Sequence, residues 1–247
     1  MTELAIVKQN GLALRFVINQ TPEICLAAVK QQGLALEYVI NQTPEICLAA
    51  VNKQGYALKY VKNQTPEICL AAVEQQGYAL EYVINQTPEI CLAAVKNGYA
   101  LKYVINQTDE MCLAAVKQDG YALRFVINQT PEICLAAVNK QGYALYLVKN
   151  QTDEICLAAI NQYDFQVIQW INSFTLSLSI KLFIIYGKII LPYIPYDILN
   201  NEIFKEFNNN PLPLKIQSLK SINKLKLNNY IYKVVQRIDN YCILEVM

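Results

Sequence analysis

Eight cysteines and no histidine set the limits on the chemistry open to this 247-residue chain. Without histidine, the ordinary general base near neutral pH, the Ser-His and Cys-His nucleophile pairs and the commonest metal ligand are all missing. Seven of the cysteines recur at 25, 47, 69, 91, 112, 134 and 156, once per repeated segment and with no CxxC spacing. Equivalent atoms in stacked helical segments fall about 8–10 Å apart, whereas a disulfide needs Cα atoms within about 7 Å. The series therefore predicts buried, reduced thiols acting as small hydrophobes, not a disulfide ladder or metal centre. Asn-Gln-Thr, at 19, 41, 63, 85, 106, 128 and 150, matches the N-glycosylation acceptor pattern. Its better reading is a helix end followed by a helix cap. The clustered carboxylates Asp197, Glu202 and Glu206 read as one polar helical face. No catalytic residue, cofactor or metal is expected, and the chain does not read as an enzyme.

The elements that place these residues are copies of one unit of about 22 residues, opening at Thr21, Thr43, Thr65, Thr87, Thr108, Thr130 and Thr152. In Thr43-Pro44-Glu45-Ile46 the threonine is a preferred N-cap, proline fits the first helical position, and glutamate complements the positive end of the helix dipole. Asp109 and Asp153 replace proline in two units, which suits a helix N-terminus better than a turn. This first helix is expected to end at Gly11, Gly33, Gly55, Gly77, Gly98, Gly120 and Gly142 in a left-handed conformation. A second helix then follows, with Ala57, Leu58 and Val61 on one face and Tyr56 stacked on Tyr60 at i,i+4 spacing. Between Val95 and Gly98 one residue is missing, which trims the first helix but spares both apolar faces.

Short units of this kind cannot bury their apolar faces alone and must stack. The fold class expected is all-α: an α-solenoid of helical hairpins over residues 1–172, with a partial first repeat from Leu4 to Gln20. The closing repeat is degraded, with Asp164 aligned to the glycine, Phe165 to the tyrosine and Trp170 to the valine. Residues 173–247 form a C-terminal capping or docking region. There FTLSLSIKL, residues 174–182, alternates apolar and polar and predicts a strand, with Gly187 turning a short β-hairpin. From Lys215 to Arg237 six basic residues occur without an acid, interleaved with apolar ones, the pattern of a basic amphipathic helix.

Lys+Arg of 21 against Asp+Glu of 20 leaves a net charge of +1, which creates no field to recruit nucleic acid. The tyrosine pairs lack a basic groove beside them, so no nucleic-acid partner is expected. Lys181 and Lys188 interrupt the longest apolar stretch, each costing about 2.5–3.5 kcal/mol at a bilayer centre, so a membrane span is not favoured. The first residues, MTELAIVKQNG, show no secretory signal, which points to a reducing, cytoplasmic setting. After each Ala-Leu pair the residue varies: Arg15, Glu37, Lys59, Glu81, Lys102, Arg124 and Tyr146. This variation marks an exposed ridge whose neighbouring opposite charges could pair, each exposed pair contributing about 0–1 kcal/mol.

The Thr-Pro-Glu-Ile-Cys-Leu-Ala-Ala-Val opening, the Gly-Tyr-Ala-Leu that follows and the 22-residue step resemble the helical repeats of the domain-of-unknown-function 4116 family over residues 4–172. That family occurs in bacteria and in large DNA viruses of protists, and it brings no activity to transfer. A viral origin would imply the host cytoplasm. In the tail, Ile194 to Phe207 resembles the opening of an F-box at Pro195, Asp197, Ile198, Leu199, Ile203 and Phe204, with one additional residue between Leu199 and Ile203. The resemblance implies docking to a ubiquitin-ligase adaptor. The function expected is a non-enzymatic protein–protein interaction scaffold of unknown partner, with a ubiquitin-ligase substrate adaptor as the alternative.

Overall fold

The structure is a computed structural model and describes residues 2–163, 165–201 and 205. Its contacts divide the chain into two units, Met1–Val148 and Lys149–Met247. In the first unit the repeat becomes an α-helix followed by a 3₁₀ helix. The α-helices are α1 (Glu3–Gln9), α2 (Pro22–Gln31), α3 (Pro44–Lys53), α4 (Pro66–Gln75), α5 (Pro88–Ala94), α6 (Asp109–Gln118) and α7 (Pro131–Lys140). The capping residues work as the sequence implies. Thr43 Oγ1 accepts a hydrogen bond from the Ile46 N–H at 3.3 Å, and the threonines that open α2 and α4 to α7 do the same. Each such cap stabilises its helix by about 1 kcal/mol. The missing residue before Gly98 shortens α5 to seven residues, against ten in α4, and still leaves Val95 fully buried.

The second half of the repeat departs from the α-helix expected of it. Gly55–Tyr60 is a 3₁₀ helix, with the Ala57 N–H donating to the Gln54 carbonyl at 2.9 Å and the Val61 N–H to the Leu58 carbonyl at 3.0 Å. Residues three apart eclipse in this geometry. That stacks Gly55, Leu58 and Val61, all buried, in one stripe, while Ala57 is buried beside them. An i,i+4 contact between Tyr56 and Tyr60 has no place in such a helix. Instead the Tyr56 ring meets Tyr82 of the following repeat edge-on, with centroids 6.2 Å apart, and Tyr78–Tyr103 and Tyr99–Phe125 repeat the arrangement. Edge-to-face pairs of this kind add about 0.5–1.5 kcal/mol each, so the aromatic residues join repeats rather than brace one helix.

The glycines are also used differently from the expectation. Among the described glycines only Gly187 has positive φ, at 67°. The repeat glycines are instead sites of close approach. A Cβ on Gly55 would lie 2.5 Å from the Ala72 carbonyl oxygen of the next repeat, and one on Gly33 2.5 Å from that of Ala50. Only a residue with no side chain lets the 3₁₀ helix seat against the following α-helix. Under it lie the fully buried Leu14, Leu36, Leu58, Leu80, Leu101, Leu123 and Leu145. Burial of each leucine stabilises the array by about 1.5–3 kcal/mol.

The second unit begins with the same kind of repeat: α8 (Asp153–Tyr163), then a 3₁₀ helix at Phe165–Trp170. Its register is shifted by one residue from the alignment. Ile171, not Trp170, takes the valine position, its N–H donating to the Ile168 carbonyl at 3.1 Å. The extra residue is absorbed in α8, which has eleven residues against the usual ten. Next come α9 (Leu176–Tyr186), a 3₁₀ helix at Gly187–Tyr193, and α10 (Tyr196–Asn200).

The strand and β-hairpin expected at 174–182 are therefore replaced by α9. Alternation misleads here because serine serves as an interior residue. Ser179 is fully buried, its hydroxyl donating to the Thr175 carbonyl at 2.8 Å, while Thr175 Oγ1 caps the helix through the Leu178 N–H at 2.9 Å. Leu178, Ile180, Leu182 and Phe183 are buried beside it. Gly187 ends α9. Among the described residues no helix is long and apolar enough to cross a membrane. The basic segment from Lys215 to Arg237 lies outside the described residues.

Candidate functional site: the exposed edge of the repeat array

Where each 3₁₀ helix runs into the next capping threonine, the first unit presents one edge built from equivalent residues. Its foundation is a glutamine that spans two repeats. Gln64 Nε2 donates to the Tyr82 carbonyl at 2.8 Å, while its Oε1 accepts from the Ile84 N–H at 3.0 Å and from Cys69 Sγ at 3.5 Å. Gln20, Gln42, Gln86 and Gln107 make the same bonds. A second set of glutamines at the α-helix C-caps accepts across repeats, as Gln76 Oε1 does from the Tyr56 N–H at 3.1 Å. Reading Asn-Gln merely as a helix end misses this role. The available signal was a glutamine unchanged in all seven copies beside positions that vary.

The clamp explains the thiols. Each repeat cysteine is buried and free, with the clamping glutamine that ends the preceding repeat as hydrogen-bond acceptor. Burial pushes all seven thiols above their ordinary value, Cys156 to about 12 with a smaller push from Asp153. Such thiols are poor nucleophiles. Among the described residues there is no group of three His, Cys, Asp or Glu side chains placed to hold a metal ion.

Held by the clamp, two rows of side chains face outward. The ridge residues Arg15, Glu37, Lys59, Glu81, Lys102, Arg124 and Tyr146 are all exposed. The ion pairing expected along the ridge is not what the cations do. Among the described residues no ion pair within 4.0 Å joins two ridge side chains. Lys59 Nζ lies 4.5 Å from the Tyr60 ring centre, Lys102 Nζ 4.4 Å from that of Tyr103, and the Arg15 guanidinium 5.0 Å from that of Phe16. Arg124 donates to the Tyr146 hydroxyl at 2.9 Å. The lysines and Arg15 thus settle on the ring of the next residue rather than on a ridge carboxylate, and exposed cation–π contacts contribute about 0.5–1 kcal/mol.

Three residues beyond each ridge position runs a row that sequence reading missed: Ile18, Ile40, Ile84, Ile105 and Ile127. They are exposed by 87, 59, 71, 68 and 60% respectively. Lys62 and Lys149 replace isoleucine at the other two steps, and Lys62 donates to the Ile40 carbonyl at 3.0 Å. A cleft of about 280 Å³ opens there, lined by Ile40, Gln42, Thr43, Pro44 and Lys62 among others. A larger cleft of about 590 Å³, lined by Tyr56, Glu74, Tyr78, Lys96 and Asn97 among others, accompanies the shortened α5.

The F-box-like residues occupy the second unit. Pro195 precedes α10 at its N-cap, Asp197 is exposed, Leu199 is half-buried and Ile198 is buried. Ile203 and Phe204 lie outside the described residues. The structure thus brings the ridge and isoleucine rows together on the array but leaves Ile198, a docking candidate, buried.

Capped α-helices alternating with 3₁₀ helices, clamped residue for residue to the next copy, define an α-solenoid repeat protein. The family described as a domain of unknown function (DUF4116) matches residues 21–65, 43–87 and 87–130, three overlapping segments of the array that are similar to its repeats. Each match runs from one capping threonine to the threonine two repeats on. No curated protein and no solved structure matches the chain.

Proposed function

We propose that the chain is a non-enzymatic protein-binding scaffold whose repeat array binds a protein partner along the isoleucine row. The observation that carries this reading is the repetition of a large apolar side chain at an equivalent exposed position in five repeats, on an array with a filled core of its own. Contiguous exposed apolar surface on a well-packed protein commonly marks an interaction site. Several weak contacts at equal spacing also gain avidity that one contact lacks. The ubiquitin-ligase adaptor alternative rests on the F-box resemblance alone.

The test is affinity capture with the intact chain beside a variant carrying Gln at positions 18, 40, 84, 105 and 127. Captured proteins are identified by mass spectrometry and rebound in purified form. Because these side chains are exposed, the variant should keep the wild-type circular dichroism and melting midpoint while losing the partner. Equal recovery of the same partner on both proteins would overturn the proposal.

A further inference from the structure

We infer that the ridge of the first unit pairs with the same ridge of a second copy of this chain, antiparallel, with the two-fold axis between the repeats of Glu37 and Lys59. The inference extends the scaffold reading by naming a partner for this edge. It rests on the order of charges. Arg15, Glu37, Lys59, Glu81 and Lys102 are exposed, one per repeat, and alternate in sign over five consecutive repeats. Stacked repeats set these charges about 8–10 Å apart. No ion pair within 4.0 Å joins them to one another, so no charge of the row is neutralised by its neighbour, and the rings beside Arg15, Lys59 and Lys102 leave those cations charged.

A row with alternating signs is complementary to its own reverse. A two-fold interface brings residue i of one copy to residue j of the other and j to i. With the axis between Glu37 and Lys59, Arg15 of one copy meets Glu81 of the other and Glu37 meets Lys59, which makes four opposite-charge contacts and no like-charge contact. Both rows share one spacing because they are the same array, so the match holds along the contact. Moving the axis one repeat along, between Lys59 and Glu81, sets Arg15 against Arg124, a like-charge contact. The first register is therefore preferred. Beside it, Ile18, Ile40 and Ile84 supply apolar surface on the adjoining row. Charges across an interface chiefly fix register and reject wrong pairings, while apolar contacts supply more of the affinity.

Sedimentation equilibrium of the full chain tests this with two paired charge reversals. Glu37→Lys with Glu81→Lys makes the first four ridge positions basic, and Arg15→Glu with Lys59→Glu makes them acidic. All four positions are exposed, so unchanged circular dichroism and melting serve as the folding control. The wild type is expected to be a dimer that weakens between about 0.05 M and 1 M salt, as screening shortens the reach of its charges. Each reversed variant alone should dissociate at least about tenfold more readily, since like charges face each other. An equimolar mixture of the two variants should recover a one-to-one dimer. A wild type that stays monomeric at low salt, reversals that leave a dimer intact, or a mixture that fails to reassociate would each overturn the inference. A monomer that still loses a partner through the isoleucine variant would sink self-pairing while leaving the scaffold reading in place.

Discussion

Replacing Gly55 by alanine puts a Cβ 2.5 Å from the Ala72 carbonyl oxygen and 2.9 Å from Gln76 Cβ. Ordinary contact begins near 3.4 Å, so the next repeat must move back by roughly 0.9 Å, the difference between 3.4 and 2.5. Inserting atoms into packed contacts of this kind costs about 1–3 kcal/mol. Against it, alanine restricts the unfolded chain, a gain of about 0.4–1 kcal/mol where the backbone conformation suits it. Gly55 has no positive φ, so that gain applies. The net loss expected is about 1–2 kcal/mol, or about 2–8 °C in melting midpoint for a domain of this size. Steric crowding also predicts an order. At Gly98 the nearest atom, the Ala115 carbonyl oxygen, is 2.9 Å away, so Gly98→Ala should cost less than Gly55→Ala. At Gly187 nothing lies within 4 Å and φ is +67°, so Gly187→Ala should cost about 1–3 kcal/mol through backbone strain alone. Urea denaturation of the three variants measures this. A Gly55→Ala protein as stable as wild type, or one less affected than Gly98→Ala, would refute the close-approach argument.

Two further outcomes follow from the glutamine clamp and the buried thiols. Gln64→Leu removes the partners of the Tyr82 carbonyl and the Ile84 N–H, so stability should fall by about 2–3 kcal/mol, with Ile84 amide exchange faster by about tenfold or more; unchanged Ile84 exchange would contradict the clamp. Because burial raises the folded thiol values above 9.0, the unfolded chain releases these protons first. Their stabilising contribution is complete below about pH 9 and is lost as pH rises toward the folded values, about 12 for Cys156. The urea midpoint should therefore drop between about pH 8 and pH 10, and drop less in Cys156→Ala; identical pH profiles would show that Cys156 is not involved.

How much of this was legible beforehand depended on the distance over which each interaction acts. Thr43, Pro44 and Glu45 announce α3 because an N-cap, a fixed φ and a charge at the helix dipole act within one turn. The Ala-Leu pairs announce a buried face, and the repetition itself demands stacking. The ridge was found because its positions vary between copies. The isoleucine row was missed because an apolar side chain beside a buried valine reads as core until its neighbours are placed.

The sequence by itself determined the repeat, the start of its α-helices and the need for a stacked all-helical array, since these follow from capping, periodicity and the inability of 22 residues to form a core. Tertiary structure decided the rest. Whether Gly55 serves a turn or a close approach, whether Tyr56 meets Tyr60 or Tyr82, and whether Gln64 ends a helix or clamps the next repeat depend on atoms about 17 to 26 residues away. Local propensity carries no record of those contacts. The same holds for α9, where buried Ser179 finds its partner in the helix backbone and overrides an alternation that reads, residue by residue, as a strand.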